Sequence, residues 1–467
     1  MHYTLTMHSK RRLFFHFCGW LGLLWLLAAC DVALPDLGAF NDESPQVVTP
    51  PPLSTAVSTP NSDTTNSNND GTTAVVPIPP ANPNTNATTD LVIWTIPALS
   101  PFSDVPGSGV MNEQIRAFEA ANPNINIRVE LKEASGPGSI NSYLSTARPV
   151  APTILPDVIL MPVEQMREAA NIGLIFPLND LLDLDSATQS DLYPAARELV
   201  TVSGNLWGYP YALRGMTHTA YNTDTFTQTI PMQLPTLTDS AGILVLPAAG
   251  EEGSKILLQY YLESGGQITN ENGQPILEKE PLTAALTTFK EARDLGLIHP
   301  QSYALQTLDE AWQIFRTGSA NISLTRPSIY LNNSNDENSA IAFAPVPGPS
   351  SALAPLLSGW AWSISTPDPA KQEIAAEFIN WMTSTDNMGT WSEASERLPA
   401  RRSAFETWPN TPYTTFLQTQ TERASAYPYA AYGLINTTLS QNLAILLSPT
   451  GGDPALLAEQ AVTAVQP

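Results

Sequence analysis

The chain has 467 residues, a formal net charge of −23 at pH 7 and a hydrophobic fraction of 43%. That length suits two domains with accessory segments better than one. So acidic a chain repels phosphate backbones, and nucleic acid is therefore not expected as a partner.

Cysteine and histidine are scarce, which limits the chemistry open to the folded body. The only cysteines are Cys18 and Cys30, so the sequence after them has no disulfide and no thiolate ligand or nucleophile. The only histidines beyond Cys30 are His218 and His299, which leaves little for a zinc site or a histidine-based triad. We expect no metal and no cofactor, and interpret both histidines as structural.

The first 29 residues have the pattern of an export signal. A basic stretch at 10–12 precedes an apolar run that ends in Leu27-Ala28-Ala29-Cys30. The run is short for a membrane-spanning helix, which needs about 20 residues, although an uncleaved anchor is the alternative. Its end is similar to a bacterial lipobox. The resemblance implies that residues 1–29 are removed as a lipoprotein signal peptide and that Cys30 is lipidated, anchoring the protein to the outer face of the cell membrane.

Residues 30–89 are rich in Pro, Ser, Thr and Asn and contain no Lys or Arg. Such a segment cannot bury enough apolar surface to offset its ordering entropy. We predict a disordered tether that holds the folded body away from the membrane.

From Asp90 onward, apolar or alternating runs typical of strands are interspersed with stretches of helical periodicity. The predicted strands are 91–94, 125–131, 157–161, 243–246, 321–324 and 341–343. The predicted helices are 112–121, 164–170, 255–262, 282–295, 308–315 and 369–382, the last with Asp368 as its N-cap. The alternation predicts an α/β fold with two lobes, parallel strand pairing and a ligand crevice at the carboxyl ends of strands.

Four stretches carry a family resemblance: 91–94 with 115–123, 156–160 with 173–178, 207–211 with 221–224, and 359–364 with the helix from Pro369 and 398–401. In this order they resemble the extracellular solute-binding proteins of family 1. This is the oligosaccharide-binding group, similar to maltose-binding proteins, that serves ATP-driven (ABC) importers.

The resemblance implies a type II periplasmic-binding-protein fold, in which two hinge-linked lobes close on a ligand and the closed form docks on ABC permease subunits. Each lobe would be discontinuous in sequence. We expect 90–212 plus 325–383 in lobe 1 and 213–324 plus 384–455 in lobe 2, with crossings near Leu213, Leu324 and Ser384. We also expect a monomer.

A sugar-binding cleft needs aromatic rings against the C–H faces of the sugar and polar groups around its hydroxyl edge. Trp94 and Glu164 each lie at a strand end, where the cleft is expected. Glu164 also falls where the family carries a sugar-binding acidic residue. A core tryptophan and a helix-start carboxylate are the plainer interpretations of the same two residues.

Tyr209, Tyr211 and Arg214 bracket the first predicted crossing, and a hinge segment lines the floor of a cleft. Arg214 stands where the oligosaccharide-binding members often have a carboxylate, and this difference admits an acidic ligand.

Trp360 and Trp362 alternate on a predicted strand and should point to opposite faces, so we expect one of them, Trp360, to face the ligand. Arg326 follows the strand that ends at Leu324, near the second predicted crossing. A surface ion pair is the alternative role for Arg326.

The sequence thus predicts a protein that captures a carbohydrate, an oligosaccharide by resemblance, and is not an enzyme. No G-x-S-x-G, H-E-x-x-H or phosphate-binding loop occurs. A glycosidase with two carboxylates remains an alternative, because acidic residues are plentiful, and an adhesive surface protein is a weaker one. Within the binding class, the alternatives are an amino acid, a polyamine, or an acidic or phosphorylated sugar.

Overall fold

The computed structural model describes residues 88–182, 185–234, 236–237, 242–334 and 340–466. The predicted signal peptide, Cys30 and the tether as far as residue 87 lie outside these ranges. Within the described ranges, no helix is both long enough and apolar enough to span a membrane.

The strands of the described residues are β1 (Thr89–Thr95), β2 (Ile125–Leu131), β3 (Val158–Pro162), β4 (Thr201–Val202), β5 (Asn205–Leu206), β6 (Tyr209–Arg214), β7 (His218–Asn222), β8 (Leu244–Val245), β9 (Ile322–Thr325), β10 (Ile341–Ala344), β11 (Leu356–Ile364), β12 (Leu398–Pro399) and β13 (Ser425–Ala426). Every strand predicted from the sequence is found within a few residues of its expected position.

The helices are α1 (Ser108–Ala121), α2 (Ile140–Ala147), α3 (Val163–Asn171), α4 (Ser186–Asp191), α5 (Pro194–Val200), α6 (Gly250–Glu263), α7 (Lys279–Asp294), α8 (Leu308–Arg316), α9 (Pro327–Ser334), α10 (Pro369–Met382), α11 (Thr385–Ala394), α12 (Pro412–Arg423), α13 (Leu434–Leu447) and α14 (Pro454–Val465). The six predicted helices are present, and Asp368 caps α10 by accepting a hydrogen bond from the Ala370 amide at 3.0 Å.

The larger sheet has seven strands in the order β12-β6-β11-β3-β1-β2, with β13 paired to β11. The predicted parallel pairing holds for β1 with β2 and with β3. It fails for β11, which is antiparallel to both β3 and β6. All nine residues of β11 are buried, because this strand lies inside the sheet and is covered on both faces.

The buried carboxylate of Asp157 fastens the start of β3 to its surroundings. It accepts hydrogen bonds from the Val92 amide at 2.9 Å and from Lys371 Nζ at 3.0 Å. The first bond ties the carboxylate to β1 and the second ties it to α10. A buried carboxylate held by a cation and an amide has its charge and lone pairs satisfied, which gives the Pro156-Asp157 motif a structural role.

A smaller sheet has four strands in the order β10-β7-β9-β8. Strand β7 is antiparallel to β9 and β10, whereas β8 and β9 are parallel. Helix α8 packs against β9, and α6, α7, α13 and α14 pack on one another.

The strand pairing differs from the predicted lobe boundaries at two of the three crossings. The chain leaves the larger sheet after Arg214 and enters the smaller one at His218, next to the predicted crossing near Leu213. Strand β10 pairs with β7, so the return comes after Ala344 and the crossing predicted near Leu324 is wrong. Strand β12 pairs with β6, so the crossing predicted near Ser384 is also wrong, because the chain is still in the larger sheet at Pro399.

Gly359 lies where β11 and β6 approach closely. A Cβ atom at this position would lie 2.3 Å from the carbonyl oxygen of Ala212. Only glycine allows this separation, which is one of the reasons for a glycine inside a strand.

His218 is fully buried at the start of β7. Its Nε2 lies 2.8 Å from Tyr413 Oη, and the rings of Tyr330, Phe343 and Phe416 complete the apolar cluster around this pair. Burial lowers the pKa of His218 to about 4. The imidazole is therefore neutral at physiological pH.

We predict that Gly359→Ala destabilises the protein by about 1–3 kcal/mol, because the added methyl group forces β11 away from β6. Gly109→Ala is the matched control. Gly109 is exposed in α1 with no atom near its Cβ position, and alanine there should leave stability unchanged or raise it slightly. Urea unfolding followed by circular dichroism measures both variants. Equal midpoints would show that the close approach is not a constraint.

We predict that stability falls as the pH drops from about 6.5 towards 4. The unfolded chain protonates His218 near pH 6.5 and the folded chain only near pH 4, so unfolding takes up a proton in this window. The free energy of unfolding therefore falls by at most about 1.4 kcal/mol for each pH unit in this window. His218→Gln should flatten the dependence measured by urea unfolding at pH 7, 6 and 5. His299→Gln, at a less buried ring, should flatten it less, and identical slopes for His218→Gln and wild type would refute the prediction.

Candidate functional site

A pocket with a volume of about 490 Å³ opens where the chain crosses between the two sheets. One wall comes from the end of β6, from Trp360 on β11 and from residues 395–398 before β12. The other wall comes from the starts of α6, α8 and α9, and residues 215–217 of the crossing lie between the two walls. Both sheets thus contribute to one site.

Strand register places three of the lining residues next to one another. Strand β6 pairs with β11, with Arg214 opposite Ser358 and Ala212 opposite Trp360. On its other side β6 pairs with β12, with Leu213 opposite Leu398, the residue that directly follows Arg397. Arg214 on β6, Trp360 on β11 and Arg397, directly before β12, therefore lie close together at one end of the sheet.

Two guanidinium groups lie over the ring of Trp360. The Cζ atoms of Arg214 and Arg397 are each 5.2 Å from the ring centroid, within the range of cation–π attraction. The tryptophan is 8% exposed. Little of its ring is therefore open to the pocket, and its main contacts are with the two cations.

Three basic side chains of the pocket have carboxylate partners. Arg214 Nη2 donates to Glu164 Oε1 at 2.7 Å, but Arg214 Nε and Glu164 Oε2 are buried without a partner, so this pair is joined by one contact of the possible two. Lys255 Nζ lies 2.9 Å from Glu251 Oε1, and Arg326 Nη1 lies 2.8 Å from Asp309 Oδ2. Burial opposes ionisation of Glu251, but the charges of Lys255 and Arg214 outweigh it and lower the pKa of this carboxyl.

The fourth basic side chain, Arg397, donates only to backbone carbonyls. Its Nη1 and Nη2 lie 3.3 Å from Ser395 O and 3.1 Å from Ala98 O. Among the described residues, no carboxylate oxygen lies within 4.0 Å of it. Burial lowers the pKa of the guanidinium, although the nearby Glu396 opposes this shift.

Glu396 makes a contact across the pocket. Asn332 Nδ2, from α9, donates to Glu396 Oε2 at 2.9 Å. The backbone of Glu396 has a φ of 56°, a conformation that few non-glycine residues adopt. Backbone strain of this kind persists only where the surrounding structure imposes it, often at a binding site.

Of the seven ligand-binding residues predicted from the sequence, Arg214, Arg326 and Trp360 line the pocket. Glu164 lies behind Arg214 and holds it. Trp94, Tyr209 and Tyr211 lie elsewhere.

Trp94 ends β1 as expected but is covered by its neighbours. Its Nε1 donates to Glu130 Oε2 at 3.1 Å, the ammonium of Lys132 is 4.3 Å from a ring centroid, and Tyr143 packs edge-on. The expected cleft position is therefore wrong, because β2 and α2 close over this end of the strand.

Tyr209 and Tyr211 are core residues because β6 runs inside the sheet and only its last two residues, Leu213 and Arg214, reach the pocket. Tyr211 stacks on Trp391 with centroids 4.3 Å apart and meets Trp362 at 5.4 Å. Burial raises the pKa of both phenols. The expected placement of these two tyrosines at the cleft floor is wrong.

The sequence analysis did not predict five charged residues and one amide that line the pocket: Glu251, Glu252, Lys255, Glu396, Arg397 and Asn332. One signal was available for Glu396 and Arg397, because they directly precede the 398–401 block. The others lie on α6 and α9, which only the tertiary structure brings to the pocket. Within the described ranges, no group of three or more His, Cys, Asp or Glu side chains could hold a metal ion.

The arrangement is that of a two-lobe α/β protein with a pocket between its two sheets. Comparison with protein families agrees. Residues 113–415 match the model described as bacterial extracellular solute-binding protein, and the chain belongs to that family. Among curated proteins, no significant match was found.

Solved structures with the same fold include several sugar-binding proteins. The sugar-binding protein MalE from Xanthomonas citri has a TM-score of 0.67 and 17% identity, covering 81% of this chain and 96% of that one. The cyclic alpha-maltosyl-1,6-maltose binding protein from Arthrobacter globiformis has a TM-score of 0.65 and 18% identity, covering 81% and 99%. Maltose-bound MalE3 from T. maritima has a TM-score of 0.61 and 18% identity, covering 80% and 98%. These similarities show the two-lobe fold.

Proposed function

We propose that this protein is the substrate-binding component of an ABC importer, which captures a carbohydrate between its lobes and delivers it to a membrane permease. The observation that carries the proposal is the pocket of about 490 Å³ whose walls come from both sheets. Its volume lies within the range of small-molecule sites, about 300–1,000 Å³. Closure of two lobes on a ligand is the motion that such a site permits.

The carbohydrate assignment draws on what the structural neighbours bind, as their descriptions state, and on the polar lining of the pocket. Carboxylates, amides and guanidinium groups are the side chains that hydrogen-bond sugar hydroxyls. Among the residues predicted from the sequence, we propose Arg214, Arg326 and Trp360 as ligand contacts. We propose Glu164 as the residue that positions Arg214.

We further propose that the protein acts as a monomer without covalent chemistry, outside the cytoplasm, and is held at the membrane by a lipid on Cys30. This part rests on the sequence pattern at 10–30. Binding alone, without catalysis, is sufficient for delivery to a permease.

We predict that a sugar raises the unfolding temperature of the purified protein. A ligand at 100 times its Kd stabilises the folded state by about 2.7 kcal/mol. Thermal shift against neutral oligosaccharides, sugar acids, amino acids and spermidine identifies the class. Arg214→Ala should reduce the shift, whereas Arg128→Ala, at an exposed side chain of β2 outside the pocket, should not. A response to amino acids or spermidine alone, or release of hydrolysis products from a glycan, would overturn the assignment.

We predict that Cys30→Ser releases the protein from the membrane fraction, because no other lipid attachment is proposed. Fractionation of producing cells with an immunoblot measures the distribution. Cys18→Ser is the control and should leave the protein with the membranes, since Cys18 lies in the segment proposed to be removed. Membrane retention of Cys30→Ser would refute the lipid anchor.

A further inference from the structure

Not every cation of the pocket is in an ion pair. The basic residues Arg214, Lys255, Arg326 and Arg397 line it or face it, and the first three have carboxylate partners within 3.0 Å. Arg397 has no carboxylate partner among the described residues. Within these ranges it is the cation of the pocket that makes no ion-pair contact, although the nearby Glu396 acts on it through its charge.

Arg397 is held in place by uncharged groups. Two backbone carbonyls accept hydrogen bonds from it, and its Cζ lies 5.2 Å from the ring centroid of Trp360 and 5.8 Å from that of Trp391. These contacts fix the orientation of the guanidinium without cancelling its charge. A fixed, partly desolvated guanidinium is prepared to bind an anion, because the cost of ordering it has already been met by the fold.

The acidic residues that line the pocket are engaged elsewhere. Glu396 accepts the hydrogen bond from Asn332 and acts on Arg397 only through its charge, without an ion-pair contact. Glu251 contacts Lys255 at 2.9 Å, and Glu252 lies 4.0 Å from the same ammonium. None of the three takes the position of a counterion to Arg397.

The start of α9, on the opposite wall, also favours negative charge. Pro327 and Ser328, the first residues of α9, line the pocket, and the first turn of this helix contains no acidic side chain. Free amide groups and the helix dipole make such an end favourable for an anion. Arg326 directly precedes it. These features support the role of Arg397 from the other side of the pocket.

We propose that the carbohydrate captured here carries an anionic group, a carboxylate or a phosphate, and that Arg397 binds this group. The inference rests on the proposed function, because it takes the ligand to be a sugar. Trp360 then serves mainly as the platform that positions Arg397 and Arg214, and only the small exposed part of its ring contacts the ligand. Arg397 determines specificity for the charged sugar over its neutral counterpart.

Isothermal titration calorimetry on the full mature chain tests the proposal with matched ligand pairs. One pair is digalacturonate and its methyl ester, and the other is glucose 6-phosphate and glucose, so the pairs distinguish carboxylate from phosphate. Maltotriose serves as a neutral oligosaccharide. We expect one anionic member to bind at least 100-fold more tightly than its neutral partner, with an affinity that weakens as salt is added.

Affinities of variants at Arg397 test whether this residue binds the anionic group. Arg397→Ala should weaken binding of the anionic ligand at least 100-fold. It should also reduce the difference in affinity between the anionic ligand and its neutral partner. Arg397→Lys keeps the positive charge but loses the planar guanidinium that can bind an anion through two N–H groups. This variant should weaken binding of the anionic ligand about 10-fold. Arg128→Ala should bind as the wild type does. Circular dichroism and the unfolding temperature show whether each variant is folded, and Arg397→Gln replaces alanine if that variant is not.

The outcomes separate this inference from the proposed function. Tight binding of maltotriose, with no preference for an anionic member, would overturn the inference and leave the proposed function standing. Thermal stabilisation by glutamate or inorganic phosphate that Arg397→Ala abolishes, with no response to any sugar, would overturn the proposed function and retain the anion site. Unchanged affinity in Arg397→Ala, or no response to any of these anions, would overturn the inference itself.

Discussion

The site depends on one structural constraint, the pairing of β6 with β11 on one side and with β12 on the other. The register places Ala212 opposite Trp360 and Leu213 opposite Leu398. Residues far apart in the chain are therefore brought together at one end of these strands. Gly359 allows β11 and β6 to approach each other closely. A shift of one residue in either register would turn Arg214 or Trp360 to the opposite face. Both the cation pair over Trp360 and the wall of the pocket follow from this pairing.

The crossings between the sheets give the pocket its second wall. Gly215 has a φ of 87°, a left-handed conformation suited to glycine, directly after Arg214. Beyond Gly215 the chain enters the smaller sheet at His218. Residues of α6, α8 and α9, which follow in the sequence, line the pocket. The hydrogen bond from Asn332 to Glu396 already joins the two walls. Since the walls belong to different sheets, the proposed function implies that a ligand in contact with both walls favours a closed arrangement.

The electrostatics of the pocket differ from those of the whole molecule. A net charge of −23 describes the surface field and its repulsion of other polyanions, yet basic and acidic side chains alternate inside the pocket. Ion pairs at short range determine the electrostatic potential inside the pocket, because interactions between exposed charges farther apart than about 8–10 Å are screened by salt. An acidic protein can therefore present a cationic subsite, and net charge alone does not identify its ligand.

The sequence by itself determined the class of fold and the order of its elements. Apolar periodicity is a local property, so β2 and α10 were predicted with their bounds, and the family resemblance followed from motifs that local sequence also carries. The tertiary structure alone decided the rest. Tyr211 and Trp94 are core residues because neighbouring strands and helices cover them, β10 joins the smaller sheet because its hydrogen bonds go to β7, and Arg397 meets Trp360 through two strand pairings. Such contacts join segments that are distant in the chain. Their free energy depends on both segments together, so the apolar periodicity of either segment alone does not predict them.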